Sequence, residues 1–375
     1  MSKFYTNLSG LKLATNIKVL NTESRWIYDK AMVYNQISKW EREIPWIKPY
    51  YAVKSNPLPH LIRDIVNHPF KVGLDVASLS EFDLAVKYTD ANNIIYTNLH
   101  TINHEIETYK KKCINIKVVD CVGELKKTAY SENPPKILIR INSGNSLGDT
   151  KFDTKFGATL AETNEMFDFA NKQNISIHGI SFHIGSGGEY DRKKAYCNAY
   201  KNAEPHLEYI RDAKKIEKPI INFGGGLLHD TNLHDVLGWT KDLPFTMIAE
   251  PGRYISEPSH HLLTQVIAIT SRGIILDNGI YHELNCFQRD NWTFPYLTHS
   301  IDIDKKVHIV DAHQIRQIFG PTCDSGDTIG RYILPANIQE GDWIILPNMG
   351  AYTNAGMIEF NGIKGASSFD YVDEI

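Results

Sequence analysis

The sequence predicts an α/β protein: a TIM-type (β/α)8 barrel joined to a second, all-β domain. Three observations lead there. Short apolar, strand-like runs alternate with longer helix-patterned stretches from about Trp26 to Pro258. Eight such runs can be counted, more than an open doubly wound sheet usually holds, which favours closure into a barrel. After Pro258 the texture changes to β-rich segments separated by Gly and Asp. The expected boundaries are 26–258 for the barrel and 1–25 with 259–375 for the β domain.

The predicted barrel strands are Tyr50–Val53, Val72–Val76, Ile94–Thr97, Lys117–Asp120, Ile137–Ile141, Ile177–His183, Ile220–Phe223 and Phe245–Glu250. Helical spacing falls between them, over Pro59–Asn67, Ser80–Tyr88, Ile102–Cys113, Glu162–Gln173 and Arg192–Arg211. In the second domain, Leu262–Ile269, Lys306–Val310 and Asp342–Leu346 read as strands, and strand-like Leu11–Asn21 is expected to join them.

Composition narrows the function. At 375 residues and 42% hydrophobic content the chain can bury a sizeable core. Its 40 basic and 44 acidic residues nearly balance, without the basic block that nucleic acid would require. Cys113, Cys121, Cys197, Cys286 and Cys323 form no CxxC pair, so neither a metal site nor a disulfide framework is expected. No apolar signal core opens the chain and no stretch approaches membrane-span length. A soluble, cytoplasmic protein with reduced thiols is the expectation.

The chemistry-bearing residues fall after strands, where a parallel barrel carries its active site. Lys54 ends the first run, within Tyr51-Ala52-Val53-Lys54-Ser55-Asn56; alone it would be a solvated charge. Asn222-Phe223-Gly224-Gly225-Gly226 follows the seventh strand, where glycine N–H groups can cradle a phosphate; an isolated triplet would be a tight turn. Glu250-Pro251-Gly252-Arg253 follows the eighth and can turn a carboxylate and a guanidinium toward the mouth. His183 precedes Gly185-Ser186-Gly187-Gly188 and can lie flat against a ring whose phosphate that loop binds. Asp75 precedes Ser78-x-x-Glu81, which also fits a capping box, so Glu81 is equally a cap or a site residue. Cys323, in Gly320-Pro321-Thr322-Cys323-Asp324-Ser325-Gly326-Asp327, suits proton donation, because flanking carboxylates raise a thiol's pKa. Tyr352 offers a phenol in a small-residue loop. A lysine, a phosphate nest, a stacking histidine, a buried carboxylate and a proton donor together describe pyridoxal phosphate chemistry.

With these motifs in order, the chain resembles fold-type III pyridoxal phosphate-dependent decarboxylases with an alanine-racemase-like barrel, in the eukaryotic-type ornithine decarboxylase branch. Lys155-Phe156-Gly157-Ala158-Thr159, Met349–Thr353 and Asn361-Gly362 add to the match. The resemblance implies that Lys54 carries the cofactor, His183 stacks on its ring and Glu250 faces its pyridine nitrogen. Ser186, Gly225, Gly226, Gly252, Arg253 and Tyr352 would hold the phosphate, with Asp75, Glu81 and Arg140 in support. Cys323 would return a proton to carbon after carbon dioxide leaves. It further implies a homodimer with shared active sites, Cys323 and Asp324 reaching the partner's cofactor, and Asp290 with Asp324 holding the substrate's distal amine. The chain departs from the pattern at Arg289, where an aromatic residue is usual, at Asn222, where an aspartate is usual, and at Leu227-Leu228-His229 after the glycines. The expected reaction is decarboxylation of a basic L-amino acid, ornithine or lysine, to a diamine for polyamine synthesis. Diaminopimelate or arginine decarboxylation is the alternative within the fold. A catalytically silent, decarboxylase-like regulatory binding protein is the alternative outside enzymes.

Overall fold

A computed structural model describes residues 2–7, 9–10, 24–129, 134–144, 147–290, 292–302, 304–366 and 368–371. The chain divides into two compact units, Tyr34–Ile255 and Met1–Val33 with Ser256–Ile375.

In the first unit eight parallel strands close on themselves: Ile47–Ala52, Gly73–Val76, Ile94–Tyr96, Ile116–Val119, Lys136–Arg140, Ile177–Ser181, Ile220–Asn222 and Thr246–Ala249. Closure is made by the last strand, whose Met247 pairs with both Ile47 and Ile221. Side chains of Tyr50, Ile95, Ile116, Val118, Leu138, Ile220 and Ile248 fill one common cluster. They recur at two-residue spacing within a strand, as one face of a pleated strand must. The fold expected from sequence is the fold observed.

Local signals set the helices. The Thr159 hydroxyl accepts from the Glu162 N–H and the Thr159 N–H donates to the Glu162 carboxylate, a complete capping box on the helix Leu160–Lys172. Asp191 caps the helix Arg192–Lys214. Ser78 caps Leu79–Ala85, but Glu81 reaches past it to the N–H of Ala77 at 2.6 Å, so the box expected there is displaced by one residue. Helical spacing at Ile102–Cys113 yields a shorter α-helix, Ile106–Lys110, entered through a 3-10 turn.

The second unit is mostly sheet. Its hub is the eleven-residue strand His260–Thr270, paired with Trp343–Leu346, Gly273–Leu276 and Arg25–Tyr28. Trp26, Leu262, Ile344 and Leu346 join one apolar cluster, and Ile27, Leu263, Trp343 and Ile345 another, so adjacent residues serve opposite faces. Because Arg25–Tyr28 bonds to His260–Leu263, Trp26–Val33 belongs to this unit and not to the barrel as the sequence pattern suggested; Ser256–Pro258 likewise. The strand expected at Leu11–Asn21 lies outside the described residues. No helix among the described residues is long and apolar enough to cross a membrane.

Candidate active site

A cavity of about 230 Å³ opens within the barrel unit, lined by Lys54, Arg140, Phe152, Phe156, His183 and Glu250 among others. Lys54 sits in a 3-10 turn, Val53–Ser55, just beyond its strand, where the side chain escapes the sheet and stays 42% exposed. Its ammonium lies 3.5 Å from the Asp75 carboxylate, which is 1% exposed. The other Asp75 oxygen accepts from the Thr97 hydroxyl at 2.6 Å. Glu81 stands near both, and burial raises its carboxyl above the usual range, helped by the Asp75 charge.

Glu250 follows the eighth strand as expected. Its side chain accepts from the Asn222 amide at 2.6 Å, and Asn222's oxygen accepts from Gly224 N–H at 2.9 Å. Burial, then the Asp75 charge, push the Glu250 carboxyl up to about 7, against the pull of Lys54, Asn222 and Arg140.

His183 accepts the Gly185 N–H on Nδ1 at 3.1 Å, which places the neutral ring's proton on Nε2. Burial and the cations Arg140 and Lys54 hold its pKa well below the usual value, so the imidazole is neutral. Phe152 meets it edge-on at 4.4 Å. The glycine run makes room for it: a Cβ on Gly225 would stand 3.0 Å from His183 Nε2. Gly226, at φ +106°, lies where a Cβ would be 2.7 Å from the Gly185 carbonyl, so the two glycine loops pack backbone to backbone. Ser186 is paired through both backbone groups with Thr150. Arg253 is buried, and Gly252 accepts the Ile255 N–H one turn on.

Arg192 and Tyr196, one helical turn apart, fasten these loops, and sequence reasoning missed both. Arg192 donates to the carbonyls of Gly188 at 2.8 Å and Gly226 at 2.9 Å; Tyr196 donates to that of Gly225 at 2.7 Å. Their i, i+4 spacing at a helix start was the available signal.

The segment Pyridoxal-dependent decarboxylase, pyridoxal binding domain, matches residues 30–257. The chain belongs to the pyridoxal-dependent decarboxylase family. Ornithine decarboxylase of Schizosaccharomyces pombe is 29% identical over 94% of this chain and 84% of its own length. That of Caenorhabditis elegans is 28% identical over 92% and 86%. Among solved structures, the arginine decarboxylase of Paramecium bursaria Chlorella virus bound to agmatine superposes with TM-score 0.83 at 26% identity, covering 96% of this chain and 99% of that one.

The decarboxylase's own groups fit pyridoxal phosphate. A buried Arg140 Nη2 has no hydrogen-bond partner among the described residues. The Gly225 and Gly226 backbone is approachable only because no Cβ fills it. Glu250 is a buried carboxyl suited to a protonated ring nitrogen.

The remaining predicted residues belong to the β-rich unit. Cys323 is exposed, its sulfur 3.4 Å from the Asn361 side-chain oxygen. Asp324 accepts from the Tyr281 phenol, whose ring stacks on Phe360 at 4.2 Å. Asp327 turns inward and accepts from Thr322 and from the Ile280 N–H, fixing the cysteine loop. Arg289 ends the short helix Cys286–Arg289, exposed, with its guanidinium beside Gly356. Asp290 follows, its N–H donating to the Cys286 carbonyl at 2.9 Å. Tyr352 takes φ +59°, a left-handed conformation that is costly for a bulky side chain.

Proposed function

We propose that this decarboxylase converts a basic L-amino acid, ornithine or lysine, to the corresponding diamine for polyamine synthesis, as a cytoplasmic homodimer with shared active sites. The observation that carries the reading is the match to proteins named ornithine decarboxylases over more than nine-tenths of the chain. Asp324, oriented by Tyr281, and Asp290 supply acidic groups suited to a distal ammonium.

Bound pyridoxal phosphate supplies an electron sink for the bonding pair left when the carboxylate departs as carbon dioxide. The residues hold and prepare it. Lys54 offers the amine that carries the cofactor, and Asp75 and Glu81 keep that amine positioned at the cavity. Glu250, set by Asn222, would face the ring nitrogen and favour its protonated form. Neutral His183 supports the ring's face without adding a competing charge. Ser186, the Gly225–Gly226 backbone, Gly252, Arg253 and Tyr352 take the phosphate, with Arg140 in support. Cys323, with Asp324 also from the partner subunit, would hold the proton that takes the place of the lost carboxylate.

A second reading rests on Arg289: a cation at this position favours a substrate with a distal carboxylate, such as diaminopimelate. Carbon dioxide release should be measured with ornithine, lysine, arginine and diaminopimelate. Ornithine or lysine is expected to give the highest kcat/KM. Preference for arginine or diaminopimelate overturns the substrate assignment, and no release from any of the four favours a silent regulatory protein.

A further inference from the structure

Loops after the third and fourth barrel strands bring together a group of side chains that the chemistry above does not use. A ring nitrogen of His100, a carboxylate oxygen of Asp120 and the sulfur of Cys121 all lie within 4.8 Å of one another. Asp120 is only 8% exposed. Its Oδ2 accepts from the Gly157 N–H at 3.1 Å, whereas Oδ1 has no hydrogen-bond partner among the described residues and faces His100 Nε2 at 4.0 Å. Arg140 and Lys117 offset part of the Asp120 charge from a distance, but the buried Oδ1 still lacks a direct partner, and a cation bound there would supply one.

The surroundings hold the three groups in place. Buried Lys117 donates to the Asn98 carbonyl and pairs with Glu124 at 3.1 Å. Glu124 accepts from the Thr101 N–H at 3.1 Å and from its hydroxyl, while Lys127 donates to the Thr101 carbonyl at 2.7 Å. His100 is thus carried between two anchored residues, its ring stacked 6.2 Å from that of Phe156. Cys121 precedes the helix Val122–Ala129, and its sulfur accepts a 3.4 Å contact from the Glu124 N–H.

We propose that His100, Asp120 and Cys121 form a three-ligand site for a zinc-class divalent cation, with the fourth position open to solvent. One nitrogen, one oxygen and one sulfur suit a tetrahedral borderline-soft ion and disfavour magnesium or calcium, which take oxygen ligands. Bond lengths of about 2.0–2.3 Å put ligand atoms roughly 3.3–3.7 Å apart in such a site. Separations of up to 4.8 Å need to close by up to about 1.5 Å, and the exposed His100 ring can swing toward the other two ligands. The spacing of the cysteines gave no hint of the site because only one of its ligands is a cysteine, and His100 comes from a separate loop. Asn98 and Leu99 of the same loops line the cavity, as does Phe156, so an ion here fastens that wall.

The test uses the holoenzyme, stripped of adventitious metal and titrated with cadmium chloride, then competed with zinc chloride. Saturation at about one equivalent per chain is expected, with thiolate-to-cadmium charge-transfer absorption and displacement by zinc. Cys121→Ser should abolish the absorption, and His100→Gln should weaken zinc binding at least about tenfold. Cys113→Ser should change neither. Serine remains a good helix cap and His100 is exposed, so the variants should keep the wild-type unfolding temperature in chelator. Should Cys121→Ser fail to fold, His100→Gln decides. Absence of saturable binding, or binding unchanged in these two variants, overturns the proposal.

Discussion

The Glu250 carboxyl is a site group whose charge state depends on its surroundings. Its pKa rises from the ordinary 4.5 to about 7 in the folded chain. A raised folded-state value means that the proton is bound more tightly in the native state. The resulting stability is fully present below the unfolded value and is lost as pH rises through about 7. Glu250→Gln is isosteric and cannot ionise. Relative to this variant, cofactor-free wild type should therefore lose unfolding temperature between pH 5 and pH 8, by a few degrees per kcal/mol for a protein of this size. A constant difference across that range would mean that Glu250 does not titrate there. Lys54 has a simpler test: Lys54→Ala should lose the visible absorbance of bound cofactor and essentially all turnover. A borohydride-reducible adduct surviving in that variant would assign the cofactor to another lysine. Arg289, exposed beside Gly356, sets a like charge near the proposed distal-amine position if it turns toward substrate. Arg289→Tyr should then raise kcat/KM for ornithine relative to diaminopimelate, by about 1–3 kcal/mol in the ratio. An unchanged ratio would show that Arg289 takes no part in selection.

At the scale of elements, two glycine loops and one helix start form a unit. Gly226 combines φ +106° with a 2.7 Å approach to the Gly185 carbonyl, so a methyl group there must strain the backbone and push the loops apart. Gly226→Ala is expected to cost about 1–3 kcal/mol and to weaken cofactor retention on dialysis, followed by absorbance. Arg192→Gln should cause the same loss without that strain, because it removes the bonds to both Gly188 and Gly226. Wild-type retention in Arg192→Gln would mean that the loops hold their shape unaided. The eight barrel strands were legible because each is a short apolar run closed by turn residues, a local property. So were the positions after them, where Lys54, His183 and Glu250 fall. Arg192, Tyr196, Thr97 and Phe152 were not legible as neighbours of those groups, since closure of the barrel brings them together and no local pattern records it. The expected boundary at residue 26 falls inside the strand Arg25–Tyr28 for a related reason: its partner, His260–Leu263, lies more than two hundred residues away.

For the whole molecule, the proposal of shared sites makes a prediction that neither unit could make alone. Lys54 belongs to the barrel unit and Cys323 to the β-rich unit. A head-to-tail twofold dimer places the same two surfaces opposite one another twice, so each site would take its lysine from one subunit and its cysteine from the other. Lys54→Ala and Cys323→Ala homodimers should each be nearly inactive. Mixed in equal amounts and allowed to exchange, about half of the dimers carry one subunit of each kind. In those, one site has lost both residues and the other has lost neither, so activity should return to about a quarter of wild type. Exchange itself is read separately, by pull-down of an untagged variant with a tagged one. If exchange occurs and activity does not return, both residues serve the same subunit's site, because every site in a mixed dimer then lacks one of them.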